Sequence, residues 1–161
     1  MINNRTVATG LAVFILTLAS PAVMAQQNPF IGTWKWNMAK SHWDPASLTP
    51  KGAQTFKYEA SGNNMIKRTG DGLDAQGKAT HTEYASKWDG KDYPTGAANN
   101  GTVSYKIFDA NTVIRVTKAG GNIVSMERII ASSDGKTLTD NEVGYNAQGI
   151  TFHHLIVSDK Q

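Results

Sequence analysis

Residues 122–145 read NIVSMERIIASSDGKTLTDNEVGY, two apolar-rich segments on either side of an Asp134-Gly135 pair. Branched and aromatic residues recur in both segments, 122–131 and 136–145, and such residues favour β-strands. Asp-Gly favours a tight turn because both residues tolerate positive φ, which a short hairpin requires. The stretch therefore predicts a β-hairpin, and the same pattern continues along the chain in both directions.

Further strand candidates lie before and after this hairpin. In residues 54–60, Phe56 and Tyr58 alternate with Lys57 and Glu59, the period-two pattern of a strand with one buried face. Other segments rich in branched or aromatic residues are 103–107, 112–118 and 150–158. A helix is considered only for residues 38–48, where the nearby prolines allow at most a short helical turn.

Turn signals separate the strand candidates at short, fairly regular spacing. They are Ser61-Gly62-Asn63, Asp71-Gly72, Asp74-Ala75-Gln76-Gly77, Asp89-Gly90, Asn100-Gly101, Gly120-Gly121 and Asn146-Ala147-Gln148-Gly149. About ten strands are predicted between Phe30 and Asp159, and hairpin-length gaps make successive strands pair antiparallel. Closure removes the two exposed edges of such a meander. We predict an all-β fold, an antiparallel up-and-down meander that closes into a β-barrel of about ten strands.

Composition limits the classes of protein to be considered. The chain has 161 residues, a formal net charge of +3 and no cysteine. Disulfides, thiolate metal sites and cysteine nucleophiles are therefore excluded. The basic residues are dispersed, whereas nucleic-acid binding favours a clustered basic surface, so no nucleic-acid partner is expected.

The first 25 residues have the layout of a secretory signal peptide. Arg5 precedes an apolar run over residues 7–19, Pro21 interrupts it, and small or apolar residues lead to Ala25. The run is too short for a membrane span, which needs about 20 residues. We predict a signal peptide at 1–25, a single barrel domain at 26–161, and a periplasmic or secreted location.

The segment Phe30-Ile31-Gly32-Thr33-Trp34-Lys35 resembles the first strand of lipocalins and fatty-acid-binding proteins, in which a Gly-x-Trp lies at one end of the barrel. Residues 126–161 are similar to the last three strands of fatty-acid-binding proteins. The chain after residue 25 is similar to small exported bacterial proteins described as lipocalin-like. The resemblance implies a barrel that binds a small ligand and a Trp34 that plugs its base.

The chain also departs from these families. Residues 37–52 are too short and too rich in proline for the two-helix lid of fatty-acid-binding proteins. Residues 150–161 contain no arginine, which the last strand of that group normally carries for a carboxylate. Arg128 on an earlier strand is the alternative cation. It faces inward if Val124, Met126 and Ile130 do, and otherwise faces solvent or stacks on Trp34.

The leading functional hypothesis is a monomer that binds a small, largely apolar or amphipathic molecule inside the barrel. No cofactor or metal is predicted. The residues expected to line the interior or orient the ligand are Phe56, Tyr58, Tyr84, Tyr105, Arg128 and His154. Of the adjacent His153 and His154, the latter is predicted to face inward because it shares a strand face with Phe152 and Ile156.

Two alternatives belong to other functional classes. An enzyme on the same barrel would use His81 or His154 as a general base, and His81 shares a strand face with Glu83. A scaffolding module would instead act through its surface, with the aromatic residues filling the interior. A cavity favours the carrier, and convergence of His81, Glu83 and His154 favours the enzyme.

Overall fold

The computed structural model describes residues 28–161, so the predicted signal peptide lies outside the described residues. Every long segment predicted as a strand is one. The strands are β1 (Gly32–Trp36), β2 (His42–Asp44), β3 (Gly52–Ser61), β4 (Met65–Leu73), β5 (Ala79–Ser86), β6 (Tyr93–Pro94), β7 (Thr102–Asp109), β8 (Thr112–Ala119), β9 (Asn122–Ala131), β10 (Thr137–Tyr145) and β11 (Thr151–Lys160). A 3-10 helix at Ala46–Leu48 matches the short helical turn expected near the prolines. Within the described range no helix is long and apolar enough to cross a membrane.

All the strands belong to one antiparallel sheet, and the predicted meander is confirmed. The strand order is β5-β4-β3-β1-β11-β10-β9-β8-β7-β6, and β2 pairs with β11 beside β1. β1, the first strand, pairs with β3 on one side and with β11, the last strand, on the other. These pairings join the first and last strands and curl the sheet into a barrel. Within residues 28–161 no backbone ladder connects β5 to β6 or β7, so the barrel is nearly closed, with one gap.

The core fills one half of the barrel. Trp34 is fully buried, its Nε1 donates to the carbonyl oxygen of Phe30 at 2.9 Å, and Lys160 Nζ lies 5.1 Å from its ring centroid. In the same core Trp88 contacts Phe30 and Tyr58 edge to face, with ring centroids 5.2 and 5.6 Å apart. Trp34 therefore has the plugging position predicted for it, and the cation beside it is Lys160.

One predicted turn is wrong. Asp71-Gly72 lies inside β4, where Asp71 pairs with His81 and Gly72 with Thr80. The true turn is the following Asp74–Gly77 segment, in which Asp74 Oδ1 accepts two backbone N–H groups and Gly77 has φ 83°. Gly72 packs closely on β3: a Cβ there would lie 3.1 Å from the Gln54 Cα, so this glycine serves strand packing.

Candidate functional site

The other half of the barrel is open. A cavity of about 620 Å³ lies against β4, β8, β9 and β10 and reaches the gap beside β5. Residues 81–84 of β5 and residues 95–97 border it, so side chains from both faces of the edge strand reach the opening. Deeper in the barrel, toward the aromatic core, a void of only about 50 Å³ remains. The interior is thus half filled and half open.

Polar side chains form a row across the wall of this cavity. In the strand register Arg115 pairs with Tyr105 on one side and Glu127 on the other, Glu127 pairs with Glu142, and Glu142 with His154. Directly paired residues in an antiparallel sheet point to the same face, with Cβ atoms about 5 Å apart. Because this face is the inside of the barrel, the register places one cation and two carboxyl groups on neighbouring strands in the interior.

Arg115 and Glu127 form a buried ion pair through Nη2 and Oε2. Glu127 is 2% exposed, and Arg115 Nη1 also donates to the Tyr105 hydroxyl at 3.3 Å. Although burial opposes the charge, the Glu127 carboxylate helps to hold the pKa of Arg115 well above its usual value. A buried pair of this kind is costly to break, because removing one partner leaves an uncompensated buried charge.

Two further carboxyl groups lie beside this pair. Burial raises the pKa of Glu142 to about 8, with a further contribution from the charge of Glu127 opposite. Burial and the same neighbour raise the pKa of Asp140 well above its usual value. Glu142 is therefore mainly protonated at neutral pH, the raised pKa of Asp140 favours its neutral form, and Glu127 is the carboxylate that pairs with Arg115.

Arg68 is the second interior cation, and its partners are neutral. Its Nη1 donates to Thr82 Oγ1 at 2.8 Å and its Nη2 to Gln54 Oε1 at 2.9 Å. The guanidinium carbon lies 5.1 Å from the Phe56 ring centroid, and the buried Nε has no hydrogen-bond partner. Among residues 28–161 no carboxylate forms an ion pair with Arg68, which is only 7% exposed. Arg68 thus presents an unbalanced positive charge to the cavity.

Three tyrosines connect the two arginines. In the register Tyr58 and Tyr84 flank Arg68, and Tyr105 flanks Arg115. The Tyr105 hydroxyl lies 2.7 Å from that of Tyr84 and 3.2 Å from that of Tyr58. Burial raises the pKa of Tyr58 and of Tyr105, so both hydroxyls remain protonated at neutral pH.

The predicted aromatic residues divide between core and cavity. Phe56 and Tyr58 border the small void, and Tyr84 borders the large cavity. Tyr105 is 1% exposed and stacks on Trp88, with ring centroids 5.1 Å apart. All four side chains face inward, but Phe56, Tyr58 and Tyr105 belong to the filled half, and only Tyr84 among them borders the open cavity.

The two predicted polar residues have different outcomes. His154 faces inward as predicted; Phe152 stacks on its ring at 4.5 Å, and burial lowers its pKa. The inward placement of Arg128 is wrong, because this side chain is exposed on the outer face of β9. The inward residues there are Ser125, Glu127 and Ile129, so the apolar Met126 and Ile130 lie on the outer face.

The histidines predicted for catalysis do not converge. His81 Nδ1 lies 2.7 Å from Asp71 Oδ1 on the outer face, and Glu83 pairs with Lys67 at 3.0 Å. His154 is on β11, which is four positions from β5, the strand of His81 and Glu83, in the sheet order. Glu83 and His154 therefore have separate surroundings, and the His81–Asp71 pair is exposed.

Sequence reasoning missed the charged residues of the interior, which are Arg68, Arg115, Glu127, Asp140 and Glu142. A signal was available in β10, where Asp140 and Glu142 share strand parity with Leu138, the most apolar residue on that face. This parity was not used to place Asp140 and Glu142 inside, because charged residues are usually assigned to the solvent face.

Comparisons with known proteins agree on the fold. The chain matches no protein-family model and no curated protein. The crystal structure of the fluorescent protein UnaG superposes with a TM-score of 0.53 at 8% identity, covering 82% of this chain and 97% of that one. As-p18, described as an extracellular fatty acid binding protein, gives 0.53 at 13%, covering 83% and 97%. The chain therefore has the nearly closed β-barrel fold of the fatty-acid-binding-protein-like calycins.

Proposed function

We propose that this protein is a carrier that holds a small amphipathic anion in the open half of its barrel, with the anionic group bound by Arg68. The observation that supports this most directly is the buried Arg68 guanidinium, whose only hydrogen-bond partners within residues 28–161 are the neutral Thr82 and Gln54. A desolvated cation without a counter-charge is costly, and an anionic ligand removes that cost.

Charge balance supports an anion over a neutral ligand. Arg115 is neutralised by Glu127, a pKa near 8 keeps Glu142 mainly protonated at neutral pH, and burial favours the neutral form of Asp140. The interior then carries one net positive charge, that of Arg68. Carboxylates, sulfates and sulfonates all have oxygens suited to a guanidinium.

Shape and lining support an amphipathic molecule of modest size. A volume of about 620 Å³ is typical of a small-molecule site. Tyr84, Val103 and Ala97 supply apolar surface to the lining of the cavity. The likeness to an extracellular fatty acid binding protein is in keeping with this proposal, although the two chains share only 13% of their residues.

A pair of fluorescent probes tests the proposal. 1-Anilinonaphthalene-8-sulfonate carries one permanent negative charge, and N-phenyl-1-naphthylamine is its neutral counterpart. We expect the purified protein to bind the sulfonate, and Arg68→Gln to weaken it by about tenfold while changing binding of the neutral probe far less. Thermal denaturation of each variant establishes that it is folded.

Arg128→Gln is the matched control, because it removes the same charge from the outer face beside the groove formed by Ile114, Met126 and Ile130. Binding unchanged in Arg128→Gln and weakened in Arg68→Gln supports the interior site. The reverse pattern, or no sulfonate binding at all, would show that the barrel is not an anion carrier. Native mass spectrometry after mild purification then reports any co-purifying molecule and tests the predicted monomer.

We also infer export, with cleavage of the predicted signal peptide after Ala25 and release of residues 26–161 as one domain. The support is the charged start, apolar run and small-residue end of the first 25 residues. Amino-terminal sequencing of the protein from the periplasm or culture medium is expected to begin at Gln26. Recovery of the full-length chain in the cytoplasm alone would contradict this inference.

A further inference from the structure

Three carboxyl groups lie close together on one wall of the proposed site, and an arginine on the same wall pairs with one of them. Glu127 and Glu142 are direct partners in the β9–β10 register, and Asp140 lies two residues before Glu142 on the same inward face. In the described part of the chain, Arg115 forms an ion pair with Glu127 alone. Carboxyl groups this close cannot all be ionised next to one guanidinium without large repulsion.

Glu142 is the member of this cluster that borders both the void and the open cavity. The groups around it come from every neighbouring strand and from the opposite wall. They are Arg115 on β8, Ser125 and Glu127 on β9, Asp140 on β10, His154 on β11, Arg68 on β4 and the tyrosines Tyr58, Tyr84 and Tyr105. Glu142 changes charge in the mildly alkaline range, because burial and the charge of Glu127 raise its pKa to about 8. Burial lowers the pKa of His154, and burial raises those of Tyr58 and Tyr105.

The protonation of Glu142 sets the net charge that a ligand meets. With its proton, Glu142 is neutral and the interior keeps the one positive charge of Arg68. Without it, the second carboxylate cancels that charge and repels an anion held in the same cavity. At a separation of a few ångströms to about 10 Å in a partly buried site, this repulsion is worth a tenfold change in affinity or more.

We propose that the cavity accepts a singly charged anion together with one proton, and that Glu142 holds this proton. The inference rests on the proposed anion site at Arg68 and adds its charge specificity and its mode of release. A protonated Glu142 also offers an O–H donor to the ligand, which the carboxylate lacks. Binding is therefore favoured at neutral and acidic pH, and release is favoured as the solution becomes alkaline.

The pH profile of sulfonate binding tests this coupling. 1-Anilinonaphthalene-8-sulfonate keeps its single charge throughout, so any titration belongs to the protein. We expect its affinity to be about tenfold lower at about pH 9.5 than at about pH 6.5, with the change centred near pH 8. In Glu142→Gln the affinity is expected to stay at the neutral-pH value over the whole range. The matched control is Glu59→Gln, an exposed glutamate paired with Lys57, which should keep the wild-type profile.

The outcomes separate this inference from the proposed function. If the probe binds and Arg68→Gln weakens it, but the wild-type profile is flat or Glu142→Gln keeps the wild-type pH dependence, the carrier stands and the proton coupling is wrong. If the profile is flattened by Asp140→Asn and not by Glu142→Gln, the assignment to Glu142 is overturned. If Arg68→Gln has no effect at any pH, the anion site itself is wrong.

Discussion

The position of Arg68 depends on a residue without a side chain. A Cβ added to Gly70 would lie 2.9 Å from Arg68 Nη1 and 3.0 Å from Thr82 Oγ1. Both distances are too short for a Cβ contact in a packed interior. The guanidinium would have to move, because it is the far end of a flexible side chain. We expect Gly70→Ala to displace it and weaken sulfonate binding several-fold, with a change in unfolding free energy below about 1 kcal/mol. Fluorescence titration and chemical denaturation measure the two effects.

Gly62→Ala is the control for this change, because a Cβ at Gly62 meets nothing within 4 Å. It should leave both binding and stability near the wild-type values. If Gly70→Ala bound the probe as tightly as Gly62→Ala does, the present orientation of Arg68 would not matter for anion capture.

At the scale of single residues, the sequence predicts which side chains face inward only where one face of a strand is clearly more apolar than the other. The prediction for His154 is correct because Phe152 and Ile156 share its face. Residues 124–130 have apolar residues on both faces, so parity alone does not decide between Arg128 and Glu127. The deciding partner, Arg115, lies on another strand, and only the register identifies it.

At the scale of the strands, side chains bridge part of the gap that the backbone leaves. Tyr84 on β5 and Tyr105 on β7 meet through their hydroxyls at 2.7 Å, and Trp88 stacks on the Tyr105 ring. The Tyr105 hydroxyl also accepts a hydrogen bond from Arg115 and lies 3.2 Å from the Tyr58 hydroxyl. One oxygen thus joins strands on both sides of the gap.

Tyr105→Phe removes this oxygen and keeps the ring. We expect a loss of about 1–3 kcal/mol in unfolding free energy, because the buried polar partners lose a hydrogen bond. Hydrogen exchange should become faster mainly in β5 and β7. Tyr93→Phe, which removes a single exposed hydrogen bond to Asp89, is expected to cost much less. Equal costs for the two variants would show that the hydroxyl cluster does not hold the gap.

Turn chemistry explains why the strands are predictable and the gap is not. Gly135 and Gly149 adopt positive φ in turns that the sequence marks clearly. Asp71-Gly72 carries the same signal inside β4, where Gly72 is needed for packing against Gln54. The missing ladder beside β5 has no such local signal, because it depends on how far the whole sheet curls.

At the scale of the whole molecule, the buried carboxyl cluster links folding stability to pH. The pKa of Glu142 is raised from an ordinary carboxyl value to about 8 in the folded protein. Between these values the folded state holds more protons than the unfolded state, so stability falls as pH rises. Burial lowers the pKa of His154, whose effect has the opposite sign and is complete by about pH 6.5. Hydrogen bonds lower the pKa of Asp89 and Asp134, and these effects are confined to acidic solution.

Above about pH 6.5 the carboxyl cluster therefore governs how stability changes with pH, and the wild-type protein should lose on the order of 2 kcal/mol by about pH 9. Chemical denaturation at a series of pH values measures this loss. In Glu142→Gln this decline should largely vanish, so the unfolding free energy of the variant should rise relative to that of the wild type as pH increases. The unfolding free energy of Glu59→Gln should decline like that of the wild type. A wild-type stability that is constant over this range would mean that the interior carboxyl groups are already ionised at neutral pH. The barrel would then contain no net positive charge for an anion to neutralise.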